Sequence, residues 1–536
     1  MGVKLTNEKG FRWNYICKNN IKIWTKGDIF ISDRYISDNV LPIYSINTIK
    51  DTPIDGICSE IKKWNGSFSV VCETEDKIIA FVDFLRSFPL FYLIDSKEFY
   101  VTDEAETLAG ISKDIVINEK AISEFKMFGY ITGNETLLCN VKQVQAGELI
   151  VIKKDIKRID RYRYCQCGYS RDGNIADLSA SEKTFMLNNT ILRVFERLAI
   201  RLNNRTAVIS LSGGQDSRLI AVYLKRIGYK KIIAYTFGKE GNKEIETAKF
   251  VTEKLGIKWI FIPYNMNDWE KILKGVYFDP YYKYAGNYTS VAHMATMIAI
   301  EKMKKNNLLP DDSVFLNGGI YDETTGSWTQ IDFIFKKKVS SDIIKQRILY
   351  RHGVLSQFEK NAWKSVCDKT LYNINGYLSS DNAIDLMSKW FIAERGSKFT
   401  HNTVRGYEFF NYPWYTPLED TELIRFWQSV DPKDYICRRL HYQFANEYIN
   451  PDMGITDSVP SPNYNLCSRL RSNYFLMYIG HYLRDASKNK PFRVRTSDPL
   501  GFFECFSDEE LEEFVKREKT TLNGNSINIV HYLNLL

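Results

Sequence analysis

The stretch Thr206-Ala207-Val208-Ile209-Ser210-Leu211-Ser212-Gly213-Gly214-Gln215-Asp216-Ser217 decides the fold. Thr206–Ser210 is a short apolar, β-branched run, which reads as a buried strand. Asp216–Ile227 has helical spacing and meets Gly228, a residue suited to a left-handed stop. The turn between them is rich in groups that hold anions. Gly213 and Gly214 let backbone N–H groups converge without a Cβ in the way. Ser212 and Ser217 add hydroxyls, and the helix directs its positive end at the same point. Asp216 would repel phosphate unless a cation lay between them, so the loop predicts a magnesium ion bridging carboxylate and phosphates. The Walker pattern GxxxxGK[ST] is absent.

Downstream, Lys231–Phe237 reads as the next strand. Asn242 caps a helix with Ile245, Ala248, Val251 and Leu255 on one face, ended by Gly256, and Trp259–Pro263 is a further strand. Such alternation needs crossovers and predicts a parallel sheet covered by helices. Val314–Leu316 is another buried strand, running into Asn317-Gly318-Gly319-Ile320-Tyr321-Asp322-Glu323-Thr324-Thr325-Gly326. Open α/β sheets bind ligands at loops in this position. Asp322 is therefore expected to share the magnesium ion with Asp216.

Upstream, residues from about 10 to 160 carry short strand-like runs, among them Phe68–Cys72, Ile78–Val82, Leu90–Leu93 and Leu149–Ile152. Their close spacing predicts a sandwich. Residues 168–177 read as a linker and Ser181–Leu202 as a helix. Beyond about residue 340 the chain reads mostly helical, with loops near Asn411–Pro417 and Pro451–Pro462. The expected fold class is α/β: an N-terminal antiparallel β-sandwich with helices, then a parallel sheet with a helical C-terminal part. The boundaries fall at residues 1–170 and 180–536.

Composition excludes several classes. The 536 residues are 44% hydrophobic and 26% charged, ordinary for a globular chain with large cores. Net charge is +7, a weak bias over this length. The densest basic stretches, Lys336–Lys338 and Lys153–Arg163, read as solvated faces, so no nucleic-acid partner is expected. The ten cysteines form no CxxC pair, and no apolar run is long enough to span a bilayer. The expectation is a cytoplasmic protein with free thiols and no membrane partner. Nothing in the residues specifies an oligomeric state.

Ser212-Gly213-Gly214-Gln215-Asp216-Ser217 resembles the SGGxDS signature of ATP pyrophosphatases, which cut ATP between the α and β phosphates. The second loop resembles the Gly-x-Gly-x-Asp-Glu motif of asparagine synthetases and β-lactam synthetases, with Asp322 on the metal-binding aspartate. It departs in two places: Ile320 stands at the second glycine, and Gly319 stands where asparagine synthetases usually carry an acidic residue. Glu394-Arg395, Arg405, Glu408 and Pro417–Leu423 resemble the same family's helical part. The stretch Arg438-Arg439-Leu440-His441-Tyr442 shows no match to its lysine. Asn65-Gly66-Ser67-Phe68, Asp83–Tyr92 and Gln145–Glu148 resemble the N-terminal nucleophile (Ntn) glutaminase domain of that family.

The resemblance implies ATP and Mg2+ as cofactors. Leu211, Ser212, Gly213, Gly214, Asp216, Ser217, Phe237 and Gly318 would bind nucleotide, and Asp216 and Asp322 the metal. Asp216, Asp322 and Arg405 would be catalytic. It also implies a ligase that adenylates a small-molecule or peptide carboxylate for attack by ammonia or an amine, with aspartate the default acid. The first cysteine, Cys17, is internal, and removing Met1 would expose Gly2, so the glutaminase-like domain is expected to be inactive. The alternative is an ATP-binding scaffold of the same fold with reduced catalysis. A third reading, an enzyme acting on RNA bases, would need a basic RNA-binding module.

Overall fold

Two groups of sheets organise the chain. In the N-terminal part the strands are β1 (Gly2–Lys4), β2 (Asn14–Lys18), β3 (Ile21–Gly27), β4 (Ile29–Ile31), β5 (Arg34–Ile36), β6 (Phe68–Glu73), β7 (Lys77–Val82), β8 (Phe91–Ile94), β9 (Phe99–Thr102), β10 (Val141–Gln143), β11 (Glu148–Lys153) and β12 (Arg158–Arg163). A six-stranded antiparallel sheet runs β12-β11-β7-β6-β3-β2 and a four-stranded sheet runs β1-β9-β8-β10. Alternation places Val71, Ile78, Ala80 and Val82 of the first sheet against Tyr92, Phe99 and Val101 of the second. The outer faces are also covered. Ile57 and Ile61 of the helix Ile54–Ile61 pack on Phe68, Val70 and Phe81, while Ala105 and Leu108 of the helix Ala105–Ile111 pack on Phe91 and Leu93. The expected sandwich is present, as a four-layered helix–sheet–sheet–helix stack.

The central part is the expected parallel sheet. Its strands are β13 (Ala207–Ser210), β14 (Ile232–Gly238), β15 (Lys258–Pro263), β16 (Val314–Leu316) and β17 (Trp414–Tyr415), in the order β15-β14-β13-β16-β17, all parallel. Both faces are buried except at the edge strand β15, so the inner strands read as continuous apolar runs. Val208, Tyr235, Phe315 and Trp414 face one core, and Ala207, Ile209, Ala234 and Leu316 the other. The helix Gln215–Arg226 follows β13, with Gly228 at φ +76° just beyond its end. Asn242 caps the helix Lys243–Leu255, which ends on the left-handed Gly256. The helix Ala180–Leu202 opens with a capping box between Ser179 and Glu182.

One expectation is corrected. Asn411–Pro417 is not only a loop, because Trp414 and Tyr415 form the edge strand β17 beside Phe315 and Leu316. Two residues are too few to show a period, and the hydrogen bonds that define the strand come from Phe315 and Asn317, far away in sequence. The two parts also share a core. Phe125, Phe128, Tyr130 and Ile131 pack with Tyr281, Phe399 and Tyr532.

The computed structural model describes residues 2–6, 9–31, 34–36, 52–94, 99–111, 116–169, 175–275, 278–327, 339–357, 359–376, 383–460 and 491–536. Lys336–Lys338, residues 170–174 of the expected linker and residues 461–462 of the expected loop lie outside the described residues. In the other basic stretch the cations meet acids: Lys153 pairs with Asp160, Lys154 with Glu73 and Arg161 with Glu148. No helix among the described residues is long and apolar enough to cross a membrane.

Candidate active site

Strand order fixes where the site can be. From β13 the chain crosses to β14 and β15 on one side, then returns to β16 on the other. The loops that leave β13 and β16 therefore diverge from one point, the crevice where open α/β sheets hold ligands. These are the two loops singled out by sequence. They touch: a Cβ built on Gly318 would lie 3.4 Å from Cβ of Asp216.

The first loop is shaped as an anion cradle. Gly214 precedes the helix Gln215–Arg226 without any side-chain cap, which leaves the first-turn amides free. The hydroxyls of Ser212 and Ser217 lie 3.3 Å apart, and Ser212 Oγ accepts from the Gly214 amide at 3.2 Å. Neither Gly213 nor Gly214 has a positive φ, so their value here is the missing side chain rather than an unusual backbone. Behind the loop, Arg218 donates to Asn450 and Asp457, and Gln215 to Asp457.

Asp216 and Asp322 do converge, and the group between them is Arg438. One guanidinium nitrogen lies 2.5 Å from Asp216 Oδ1, and another bonds Asp322. Arg438 has φ +61° and follows Cys437 at φ +54°, just before the helix Arg439–Tyr448. Burial pushes the Asp216 carboxyl up to about 6, against the pull of Arg438 and with Asp322 adding to the rise. His441 lies beneath the pair, fully buried, with Nε2 at 3.8 Å from Asp216 Oδ1 and Nδ1 at 3.5 Å from the Tyr321 hydroxyl. Burial, together with Arg438 and Arg218, holds it neutral, well below the usual histidine range.

Both departures of the second loop have structural partners. Ile320 is fully buried among Phe84, Leu85, Cys167, Ile392 and Ile424, so its side chain anchors the loop to the N-terminal part. Gly319 has φ +62°, and a Cβ there would lie 2.1 Å from Oε1 of Glu419. The same oxygen accepts from the Ile320 amide at 2.9 Å, and Oε2 lies 2.9 Å from His401 Nδ1. A carboxylate does stand at position 319, delivered from residue 419.

The other named residues are distributed. Phe237 is half-buried at the end of β14, stacked on Tyr264 at 5.3 Å, and Leu211 is buried in the core on the other face. Arg405 is not brought to the two aspartates. It bonds Glu408 at 2.5 Å and the Ser87 carbonyl of the N-terminal part. Glu394 pairs with Lys398 at 2.6 Å inside the π-helix Phe391–Thr400. Asp420 accepts from Arg197, from Asn65 at 3.0 Å and from the Glu422 amide at 2.9 Å. Cys17 lies exposed on β2. Sequence reasoning missed Arg438, and the left-handed pair that aims it has no composition signal because neither residue is Gly or Asn.

Residues 206–273, which hold β13, the anion cradle, β14 and β15, match the family described as queuosine biosynthesis protein QueC. This segment is thus similar to an ATP pyrophosphatase-type domain. Among curated proteins, the chain is similar to the microcin J25-processing protein McjC of Escherichia coli, 22% identical over 260 residues, or 48% of this chain and 47% of that one. The chain thus spans about half the length of this relative. Among solved structures it is similar to the glutamine phosphoribosylpyrophosphate amidotransferase from B. subtilis (11% identity, 46% of this chain, 72% of that chain, TM-score 0.21). It is also similar to the NH3-dependent NAD synthetase from Campylobacter jejuni (12%, 37% and 95%, TM-score 0.21). The ATP pyrophosphatase-type assignment rests on the cradle, the strand order and the matched residues rather than on these superpositions.

Proposed function

We propose that the protein is an ATP-dependent amide-forming ligase of the asparagine synthetase type, its synthetase domain running from residue 180 to 536 and its glutaminase-like domain from 1 to 170. The observation that carries the reading is the convergence of Asp216 and Asp322 on one cationic group, beside an uncapped helix N-terminus at a sheet switch point. Two carboxylates aimed at one cation suit a magnesium ion, which takes hard oxygen ligands and keeps waters or phosphate oxygens for the rest. When bound, it neutralises charge on the leaving pyrophosphate.

The chain's own groups do the remainder. The free amides of the first helical turn and the Ser212 and Ser217 hydroxyls bind the β and γ phosphates. Phe237 and Gly318 border the nucleotide, and Leu211 holds the start of the cradle from the core. Arg438, released from the aspartates as the nucleotide enters, holds charge at the α phosphate. A carboxylate oxygen of the substrate bonds the α phosphorus as the bond to the β phosphate breaks, giving an acyl adenylate and pyrophosphate. The amine or ammonia nitrogen then bonds the acyl carbon, loses a proton, and AMP departs. The N-terminal sheets act as a structural partner through Asn65–Asp420, Ser87–Arg405 and the Ile320 cluster.

Products distinguish the reading. Incubation with ATP, an acid and an amine should yield AMP and pyrophosphate in equal amounts, by phosphorus NMR. ADP and phosphate would overturn it. The second reading, an ATP-binding scaffold, is favoured by the seat of Arg438 on both carboxylates. It predicts ATP binding that is unchanged when magnesium is removed.

A further inference from the structure

Where the N-terminal sheets meet the helical part, a second cavity is lined by charge. Lys9, Lys26, Arg86 and Arg405 are its cations, and Asp103, Glu104 and Glu408 its acids. None of them belongs to the phosphate cradle or to the second loop. Phe88 and Pro89 supply an apolar wall.

Two of the acids are fully engaged. Asp103 Oδ2 accepts from Trp13 Nε1 at 2.8 Å and from Lys26 Nζ at 3.1 Å, and Oδ1 accepts from the Thr6 amide at 2.9 Å. Glu408 Oε2 accepts from Arg405 Nη1 at 2.5 Å and from the Tyr284 hydroxyl at 2.8 Å, and Oε1 accepts from Trp414 Nε1 at 2.8 Å. Neutral groups of the wall are engaged too: Asn287, Ser397 and Asn402 donate to backbone carbonyls.

The cations keep donors in reserve. Among the described residues Lys26 Nζ has Asp103 as its one acceptor, and Arg405 Nε has none beside the bonds of Nη1 and Nη2 to Glu408 and Ser87. Arg86 forms no ion pair among the described residues. Its Nε donates to the Val144 carbonyl at 3.1 Å and its guanidinium lies over the Phe91 ring at 5.5 Å. Nη2 is sealed within the wall without a partner, and Nη1 is the end left for a ligand. Asp83 and Glu394 attract this charge from farther off, and Arg405 repels it. Asp83 is already held by the Phe68, Leu85 and Ser87 amides, and Glu394 by Lys398. Arg86 is only 4% exposed, and a buried charge without a partner costs free energy.

We propose that this cavity binds a small monocarboxylate, whose two oxygens accept from Arg86, Arg405 and Lys26. Charge and size select it. Four cations against three acids leave one positive charge, which a monoanion balances. About 40 Å³ is open to the centres of water-sized groups. That is room for roughly three or four such groups, the size of acetate. A planar carboxylate also suits the edge of a guanidinium. Lys26 and Arg86 come from the N-terminal part and Arg405 from the helix Arg405–Phe409, so the anion ties the two parts together. The site stands whether or not the chain is a ligase.

The test uses the full chain and NMR line broadening of acetate and benzoate, at an ionic strength held constant with sodium chloride. Acetate should bind saturably, one per chain, and benzoate, too large for the space, should not. Arg86→Gln should weaken acetate about tenfold or more, because the anion loses a charged donor. A cooperative thermal melt reports that the variant is folded. The phosphate cradle is the other anion site, so the titration is repeated with α,β-methylene-ATP, which should leave acetate affinity within about twofold. Acetate that does not saturate, that is displaced by the nucleotide, or that binds Arg86→Gln as well as the parent overturns the proposal. If Arg86→Gln does not fold, the parent decides: acetate bound and benzoate excluded, with nucleotide present, supports the site, and both bound or neither bound overturns it.

Discussion

A guanidinium nitrogen of Arg438 stands 2.5 Å from Oδ1 of Asp216. The same guanidinium holds Asp322, so residue 438 ties together the two loops that diverge from the centre of the parallel sheet. Without nucleotide, this cation offsets the mutual repulsion of two carboxylates. Arg438→Gln removes it and leaves both oxygens free for a divalent ion. We predict that Mn2+, titrated by electron paramagnetic resonance without ATP, binds about tenfold more tightly to Arg438→Gln than to the parent. Unchanged or weaker binding would separate Arg438 from the metal site.

Glu419 and Gly319 form a matched pair across 100 residues of sequence. Gly319→Ala adds a methyl group that overlaps the Glu419 carboxylate and places a side chain at φ +62°. The expected cost is about 2–4 kcal/mol by urea unfolding. Glu419→Ala frees that space but strips an acceptor from the Ile320 amide and His401. The double variant should be more stable than the sum of the single losses predicts, by about 1 kcal/mol or more. Strict additivity would mean that the two positions do not share the space.

Arg197 and Asp420 are both buried, with side-chain exposures of 6% and 5%, and are joined by two hydrogen bonds. Asp420→Ala leaves a buried arginine short of a charge partner and also removes the cap of the helix Thr421–Ser429. A loss of about 3 kcal/mol is expected. Asn65→Ala should cost less, about 1 kcal/mol, because it removes only neutral donors and acceptors. A denaturant series that found both substitutions neutral would remove this contact as the link between the N-terminal sheets and the central domain.

Much of the fold was legible because its signals are local. The strands of the parallel sheet are apolar runs, and Asn242, Gly228 and Gly256 mark helix ends by chemistry that acts over a single turn. The cradle was legible for the same reason, as its donors and Asp216 are contiguous. What escaped is held by distant partners. Trp414 and Tyr415 become a strand only beside β16. Arg438 reaches the aspartates through two left-handed residues that are neither Gly nor Asn. Gly319 and Ile320 looked like losses from a motif, yet Glu419 and the Phe84–Leu85 corner explain both. Arg405 was plausible as a free cation, but Glu408 and Ser87 engage it.

Acid sensitivity follows from two histidines away from the aspartates, His352 buried and His293 partly buried. Burial lowers His293 to about 4 and His352 well below the usual histidine value. Each stays neutral in the folded chain while the unfolded chain takes up protons below about pH 6.5. Their contribution to stability is therefore complete above about pH 6.5 and is lost as pH falls toward about 4, by about 1.4 kcal/mol per unit for each. His293→Gln should lower stability at pH 7, where it loosens the contact with the Phe399 carbonyl. It should also flatten the decline between pH 6.5 and 5. Unfolding midpoints that fall equally steeply in parent and variant would contradict this.

The central claim is that Asp216 and Asp322 serve adenylation of a carboxylate, and its most direct test is exchange of labelled pyrophosphate into ATP. Exchange should require both magnesium and one acid from a panel of amino, sugar and peptide acids, and should fall by about a hundredfold to a thousandfold in Asp216→Asn. An ATP-binding protein that supports no exchange with any acid, with amines present or absent, would contradict it.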